Sequence, residues 1–384
     1  MTNRHKITFV LLLCSALFLG GCWNSKEIEH LRYPTALGID YRNNQYEMYL
    51  QLVDISVIAK MEGGGRRSEQ DMVVFKGVGR SLDEAAFNIY SYTQQRVNWS
   101  HIRAVIFGEG ALRLGLDVFL DNFSRYGEFR HTWWTFTTQG DVKQLLLLYP
   151  TMNTPAIFSR LGDPTTIYRQ YSYIQPVMLN RFEAQLYEKS VTTILPNLSS
   201  VTGKVYSTSK KHVRPVLSRR GVCVLHNRKW LGCLSTAQVS GLRWMSTKTV
   251  RTPVNLFEGK KPIADLVFED PRQTITYRMK DGKPYFTIKV EVSGGLSDLN
   301  QQTSVSKLEK ESAKLIEKQI RDTYLHGLKL HADIFSFSNI MYRRNVKLWK
   351  TLQKDGQLQL TPASLEKIEV KATLKNSGEL QFVH

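Results

Sequence analysis

The chain's first two dozen residues constrain its fate more than any later stretch. Arg4 and Lys6 precede an uncharged apolar run from Ile7 to Leu19, which ends in Leu19-Gly20-Gly21-Cys22. A positive start, a short apolar core and small residues at its end are the parts of a secretory signal, and the run is too short to span a bilayer comfortably. Small residues followed at once by cysteine match a bacterial lipobox, in which the Cys22 thiol takes a diacylglyceryl group and becomes the first mature residue. The competing readings are an ordinary secretory signal with a chance cysteine and an uncleaved N-terminal anchor. Lipidation at Cys22 would fix the chain to a membrane surface without a crossing segment, because two acyl chains hold where one does not. After the signal the densest apolar patch is Leu145 to Leu148, far short of a membrane span.

The rest of the chain is folding material. At 384 residues, 42% hydrophobic and 11% aromatic, the chain exceeds what one core usually serves and does not have the composition of disorder. We divide it into a signal (1–21), an N-terminal α/β domain with a helical extension (22–195), a small middle domain (196–262) and a C-terminal domain (263–384). The fold class is α/β in the mixed α+β sense: a three-domain ectodomain of sheets covered by helices.

The formal net charge of +18 suits nucleic acid or an anionic membrane and acidic polymer. Export removes chromosomal DNA from consideration. The basic pairs, such as Arg66-Arg67, Lys210-Lys211 and Arg343-Arg344, are also dispersed and not gathered into a stripe.

Local patterns place the elements. Thr35–Tyr41 and Tyr46–Asp54 flank Arg42-Asn43-Asn44 and read as a hairpin; Met61–Asp71, with three glycines, reads as a loop. Ser81 with Glu84 opens a helix as a capping box, and Asp141 caps another. His101–Phe107 is apolar on both faces and reads as a central strand. The stretch from Pro150 to Ser200 reads as mostly helical, interrupted by prolines. Phe286, Ile288, Val290 and Val292 alternate with polar residues after an Asp281-Gly282 turn. A long amphipathic helix comes next, with Ser306 and Glu309 as its capping box, a stripe of Leu308, Leu315, Ile316, Ile320 and Tyr324, and a Glu317–Arg321 pair. It should pack on a sheet that a strand over Glu366–Leu374 completes.

Four cysteines are present. Cys14 leaves with the signal, and Cys223 and Cys233 flank an Asn227 turn. They either face each other across a hairpin, as export permits, or stay as buried free thiols.

Motifs of catalysis are missing. There is no G-x-S-x-G, H-E-x-x-H, Walker loop or G-x-G-x-x-G in strand–helix context. His326 and His331 have the wrong spacing to chelate a metal from one helix face, and Glu27/Glu29 and Asp265/Glu269/Asp270 read as solvated carboxylates. No cofactor or metal is expected, and the chain reads as a non-enzyme.

Several separated blocks together resemble one family. Gly21-Cys22-Trp23-Asn24, Glu27-Ile28, Ala36–Asp40, His101–Glu109, Phe123–Arg130, the long helix with Ala332–Phe337, Tyr342-Arg343 and Trp349 resemble the C subunit of Ger-type spore germinant receptors. Two departures stand out: Ser336-Phe337-Ser338-Asn339 where the family has a Gly-x-Gly-Asp-like turn, and Cys223 with Cys233, which lie outside its pattern. The resemblance implies three α/β domains and a lipoprotein on the outer face of the spore inner membrane. It further implies membrane-embedded A and B subunits as partners, no nucleic acid, and no catalytic residues. It leaves open whether the chain itself touches the nutrient. The alternative is a lipid-anchored protein acting alone on a solute or acidic cell-wall polymer.

Overall fold

The computed structural model describes residues 31–53, 72–148, 156–205, 215–377 and 380–381. Cys22 and its neighbours, the Met61–Asp71 loop and Lys210-Lys211 lie outside them.

Strands β1 (Leu31–Arg32), β2 (Pro34–Arg42), β3 (Gln45–Val53) and β4 (Met72–Gly79) precede helix α1 (Leu82–Tyr90) and β5 (Arg96–Val97). Next come β6 (Ala104–Phe107), α2 (Glu109–Leu114), α3 (Asp117–Arg125), β7 (Trp134–Thr138), α4 (Val142–Leu146) and α5 (Pro164–Gln170). β8 (Val177–Met178), α6 (Leu179–Tyr187), β9 (Thr192–Val201), β10 (Val216–His226) and β11 (Lys229–Ser235) complete a nine-stranded sheet of order β11-β10-β9-β7-β6-β2-β3-β4, with β8 paired to β7. Its centre is parallel, where β2, β6, β7 and β9 run together, and its flanks are antiparallel.

Both faces of this sheet are covered, which is why β6 is apolar at every position: Ala104, Val105, Ile106 and Phe107 are all wholly buried. On one face Leu37, Ile39, Val105 and Phe107 meet α1, α2, α3 and α6 through Ala85, Leu112, Phe119 and Phe182. On the other, Ala36, Ala104 and Ile106 meet α4 through Val142, Leu145 and Leu146. The helix sits so close that a Cβ on Gly38 would fall 2.3 Å from Val142 Cγ1, so β2 needs glycine there.

The second sheet has the order β12-β13-β14-β17-β18: β12 (Arg251–Glu258), β13 (Lys261–Lys280), β14 (Lys283–Leu299), β17 (Leu365–Ser377) and β18 (Leu380–Gln381). Between β14 and β17 lie α7 (Val305–Lys329), α8 (Phe337–Arg344), α9 (Val346–Leu352) and the short β15 (Gln353–Lys354) and β16 (Gln357–Leu358). Helix α7 buries Leu308, Ile316, Ile320 and Tyr324 against this sheet. The closing strand over 366–374 is β17, and it runs parallel to β14.

Hairpin turns obey residue chemistry. Asn43-Asn44, Asn227-Arg228 and Asp281-Gly282 all adopt positive φ, the conformation that two-residue hairpin turns require and that Asn, Asp and Gly tolerate. Ser81 accepts from the Glu84 amide as expected, but Glu84 reaches back to the Arg80 amide.

Expectations for the long helix and for the region before Ser200 change. The long helix is capped by Ser304, which accepts from the Lys307 amide, and not by Ser306; Glu309 is instead drawn to the Leu374 amide of β17 at 2.8 Å. Leu315 is only partly buried at the stripe's margin. The region before Ser200 is less helical than its pattern suggests, because residues 192–201 form β9 inside the first sheet. Strands within 196–262 fall into both sheets: β10 and β11 extend the first, and β12 edges the second.

Candidate functional site: the seam between the sheets

Strand β10 gives a side chain to each side in turn. Cys223 and Leu225 belong to the first sheet's helix-covered core, whereas Val222 and Val224 join the core of the second sheet with Val254, Phe268 and Ile320. The period-two alternation of a strand makes this possible. A single apolar interior therefore runs from β10 through to α7. Cys223 sits directly opposite Cys233 on β11 and is joined to it by a disulfide, with Cα atoms 4.0 Å apart.

Polar contacts close the rest of the seam. His226, at the end of β10, has Nδ1 3.1 Å from the Val191 carbonyl and Nε2 2.8 Å from the Asp355 carbonyl. Asn339 of α8 donates to Glu188 Oε1 and Ser190 Oγ at 2.8 and 2.9 Å. The backbones touch so closely at Gly356 that a Cβ would lie 2.2 Å from the Lys189 carbonyl oxygen. Glycine with φ +88° serves two needs there.

Beside these contacts lies an open cleft of about 590 Å³, lined on one wall by Tyr173, Ile194 and Gln175 and on the other by Gln273, Ile275 and Arg344. Its size falls in the range of small-molecule sites. Arg243 also lines it, held by aromatic rings and neutral acceptors. Its guanidinium lies between the rings of Tyr173 and Trp244, at 4.8 and 4.9 Å from their centroids. It donates to the Pro253 carbonyl and to Gln319 Oε1. Burial pushes its pKa down from the usual arginine range, as expected for a cation held by dipoles and π faces. Two residues before Tyr173, Tyr171 packs beside its ring and carries Arg219 over its own ring at 5.2 Å. Among the described residues, the cleft's lining includes Arg243 and Arg344 but neither aspartate nor glutamate.

A buried carboxyl, Asp333, stands at the foot of α8. Burial pushes it up, while the amides of Ser338 and Phe337, at 2.6 and 2.9 Å, pull it back; the net direction is upward. This carboxyl caps α8, because Ser336 at the N-cap position has φ 54° and makes no side-chain cap bond. Ser336 thus holds the left-handed conformation in which glycine is the natural residue. Phe335 and Phe337 pack into the core beside it, with Phe337 stacked on Phe286 at 4.2 Å.

The residues singled out in the sequence sort into packing devices. Asp40 is buried, pairs with Arg42 at 2.7 Å and accepts from the Ala111 amide at the start of α2. Ile39 O accepts from the Gly108 amide; the blocks Ala36–Asp40 and His101–Glu109 therefore meet as neighbouring strands. His326 and His331 do not converge: His331 is an exposed turn residue with φ 53°, and His326 Nδ1 is buried without a partner. Asp265 accepts from Asn255 across β12 and β13. Among the described residues no group of three or more His, Cys, Asp or Glu side chains could hold a metal ion. No helix among them is long and apolar enough to cross a membrane. The arginine–aromatic stack escaped the sequence reading. Its only trace is Tyr171-Ser172-Tyr173 and Arg243-Trp244, two short stretches some seventy residues apart in the chain.

Comparison with known proteins gives a consistent result. Residues 24–200 match the spore germination protein N-terminal domain model, and residues 220–378 match the C-terminal model described as spore germination B3/GerAC like. Spore germination protein KC of Bacillus subtilis (strain 168) is 24% identical over 98% of this chain and 96% of its own length. Spore germination protein B3 of the same strain is 24% identical over 85% of this chain and 86% of its own. A crystal structure of the GerBC protein aligns with TM-score 0.49 and 16% identity, covering 88% of this chain and 96% of that one.

Proposed function

We propose a role that starts from kinship: the chain belongs to the GerAC-like family of spore germination proteins, and we infer that it serves as the lipid-anchored C subunit of a nutrient germinant receptor. In this reading it is a non-catalytic assembly and relay component, tethered through Cys22 to the outer face of the spore inner membrane beside membrane-embedded A and B subunits. The observation that carries the proposal is the pair of family-model matches in order along residues 24–200 and 220–378. The continuous interior between the two sheets supports a relay, since a packed seam transmits displacement where a flexible linker would absorb it.

A second reading, a lipid-anchored protein binding an acidic solute or polymer on its own, is favoured by the cleft with Arg243 and Arg344 and no carboxylate among the described residues of its lining. One experiment separates the two. The tagged chain and its Cys22→Ala variant are expressed in sporulating cells, and membrane retention, co-isolating proteins and nutrient-triggered germination are scored. The receptor reading expects multipass membrane proteins to co-isolate with the native chain, and Cys22→Ala to lose membrane retention together with most of the germination response. A native chain that isolates alone, with germination unaffected by its loss, favours the binding protein.

A further inference from the structure

Helix α1 ends in a run of exposed aromatic side chains. Phe87 is 65% exposed, Tyr90 40% and Tyr92 57%, and Tyr126 across from them is 43% exposed. Phe87, Tyr90 and Tyr126 border a groove of about 170 Å³ floored by Leu82, Trp99 and Phe129. Exposed aromatics that stand singly need no explanation, but a contiguous set around an apolar groove marks a surface with a partner. Two of the tyrosines have an apolar body and a hydrogen-bonded tip: Tyr126 donates to Asp83 Oδ1 at 2.8 Å, and Tyr90 accepts from Trp99 Nε1 at 2.8 Å. That is the character of aromatic residues in the belt between water and lipid.

The path of the chain identifies the occupant. β1 pairs with β5 at Leu31↔Arg96, and Arg32 O accepts from the Asn98 amide at 2.8 Å. The next residue, Trp99, packs against Tyr90, which packs against Phe87. The described chain therefore begins beside the aromatic groove. From Cys22 to Leu31 an extended chain reaches at most about 30 Å, so a lipid on Cys22 keeps this face within that distance of the bilayer. We propose that the Phe87–Tyr92 face rests in the membrane interface and sets the orientation of the chain on the bilayer. This rests on the anchored reading above and adds an orientation to it.

Charge contributes little to this contact. Three arginines near the groove carry ion pairs, Arg80 with Glu84, Arg96 with Glu128 and Arg125 with Asp121, so the attraction is expected to come chiefly from the apolar and aromatic groups. The contact is therefore expected to change less than about twofold between low and high salt, unlike a basic patch on anionic lipid.

Ser91→Cys, exposed between Tyr90 and Tyr92, and Ser297→Cys, exposed on β14, each receive an environment-sensitive fluorophore in the full chain on phosphatidylcholine–phosphatidylglycerol vesicles carrying brominated acyl chains. Quenching should be at least about threefold stronger at position 91 than at 297, and Phe87→Ser with Tyr92→Ser should remove the difference. Equal quenching at the two positions, or a difference that survives those substitutions, overturns the proposal. The same measurement on Cys22→Ala at millimolar lipid separates it from the anchor. There the groove should still give weak partitioning that drops about fivefold with Phe87→Ser and Tyr92→Ser. If the native chain fails to stay on vesicles while this arm behaves as expected, the anchor reading fails and the surface stands; no partitioning in this arm sinks the surface, whatever the anchor does.

Discussion

The two sheets solve the problem of burial differently. The nine-stranded sheet has helices on one face and α4 with part of the second sheet's core on the other, so its central strands have no outside. The five-stranded sheet packs α7 on one face only, and β14 alternates buried Phe286, Ile288, Val290 and Val292 with exposed Lys289 and Glu291. A two-faced sheet must be apolar continuously, while a one-faced sheet can give every second residue to water. The first arrangement concentrates stability in a few short strands. The second spreads it along long hairpins whose outer face is free to vary.

Paired substitutions at adjacent positions are the strongest test of this contrast. In β6, Ile106→Ala and Phe107→Ala point into opposite cores and should each cost about 2–5 kcal/mol by urea unfolding. In β14, Ile288→Ala should cost a similar amount and Lys289→Ala under about 1 kcal/mol, since only an exposed pair with Glu369 at 3.0 Å is lost. Comparable costs at 288 and 289 would break the comparison. Reducing the Cys223–Cys233 bond should come next. It closes a short loop of sequence separation 10, and reductant should lower unfolding stability by about 3 kcal/mol on the chain-entropy account. An unchanged midpoint would mean that the two cores already hold β10 and β11 without it.

The smallest effect is a difference of sign in pH dependence. In the first sheet burial pushes Glu47 up, but the Lys76 ammonium at 2.6 Å and the Tyr49 hydroxyl at 2.7 Å outweigh it and hold the carboxyl below its ordinary value. Its contribution is present above the ordinary glutamate range and is lost as pH falls through the lowered value. Asp333, raised by burial, behaves oppositely: its contribution is present below the ordinary aspartate range and is lost as pH rises through the raised value. Thermal midpoints followed from acid to neutral pH should lose part of their acid-side fall in Glu47→Gln and part of their neutral-side fall in Asp333→Asn. Two variants with slopes changed in the same direction would contradict the assignment.

Much of the local structure was legible. β14 showed its face because alternation survives wherever one side is wet, and β6 showed its centrality because both sides are dry. The Asn43-Asn44, Asn227 and Asp281-Gly282 turns were legible because positive φ restricts residue choice. The pattern places the α7 cap at Ser306, and the structure places it at Ser304: two serines precede the stripe, and Glu309, the partner a Ser306 box would need, is taken by the Leu374 amide of β17. The membership of β9 in the first sheet was hidden for a different reason. Its pairing with β7 joins Thr137 to Asn197 and Thr138 to Leu198, a short contact of mostly polar residues with no periodic signature. The same holds at the seam, where Arg243, Tyr173 and Gln319 come from three distant stretches. Long-range juxtaposition leaves little trace in one sequence, whereas a turn or a cap is written within a few residues.

The double allegiance of β10 bears on how such proteins can be taken apart. The two family models divide the chain between residues 200 and 220, yet β10 and β11, from the second segment, are the outer strands of the first segment's sheet. An N-terminal fragment cut at that boundary would leave β9 as a bare edge and strip Leu195 of its cover by Cys223 and Leu225. Chimeras between relatives joined after Ser235 keep β10 and β11 in their own sheet with Cys223 and Leu225 under their native helix layer, and leave Val222 and Val224 as the side chains that must match foreign partners. The structural unit is the sheet, and it does not end where the first family model does.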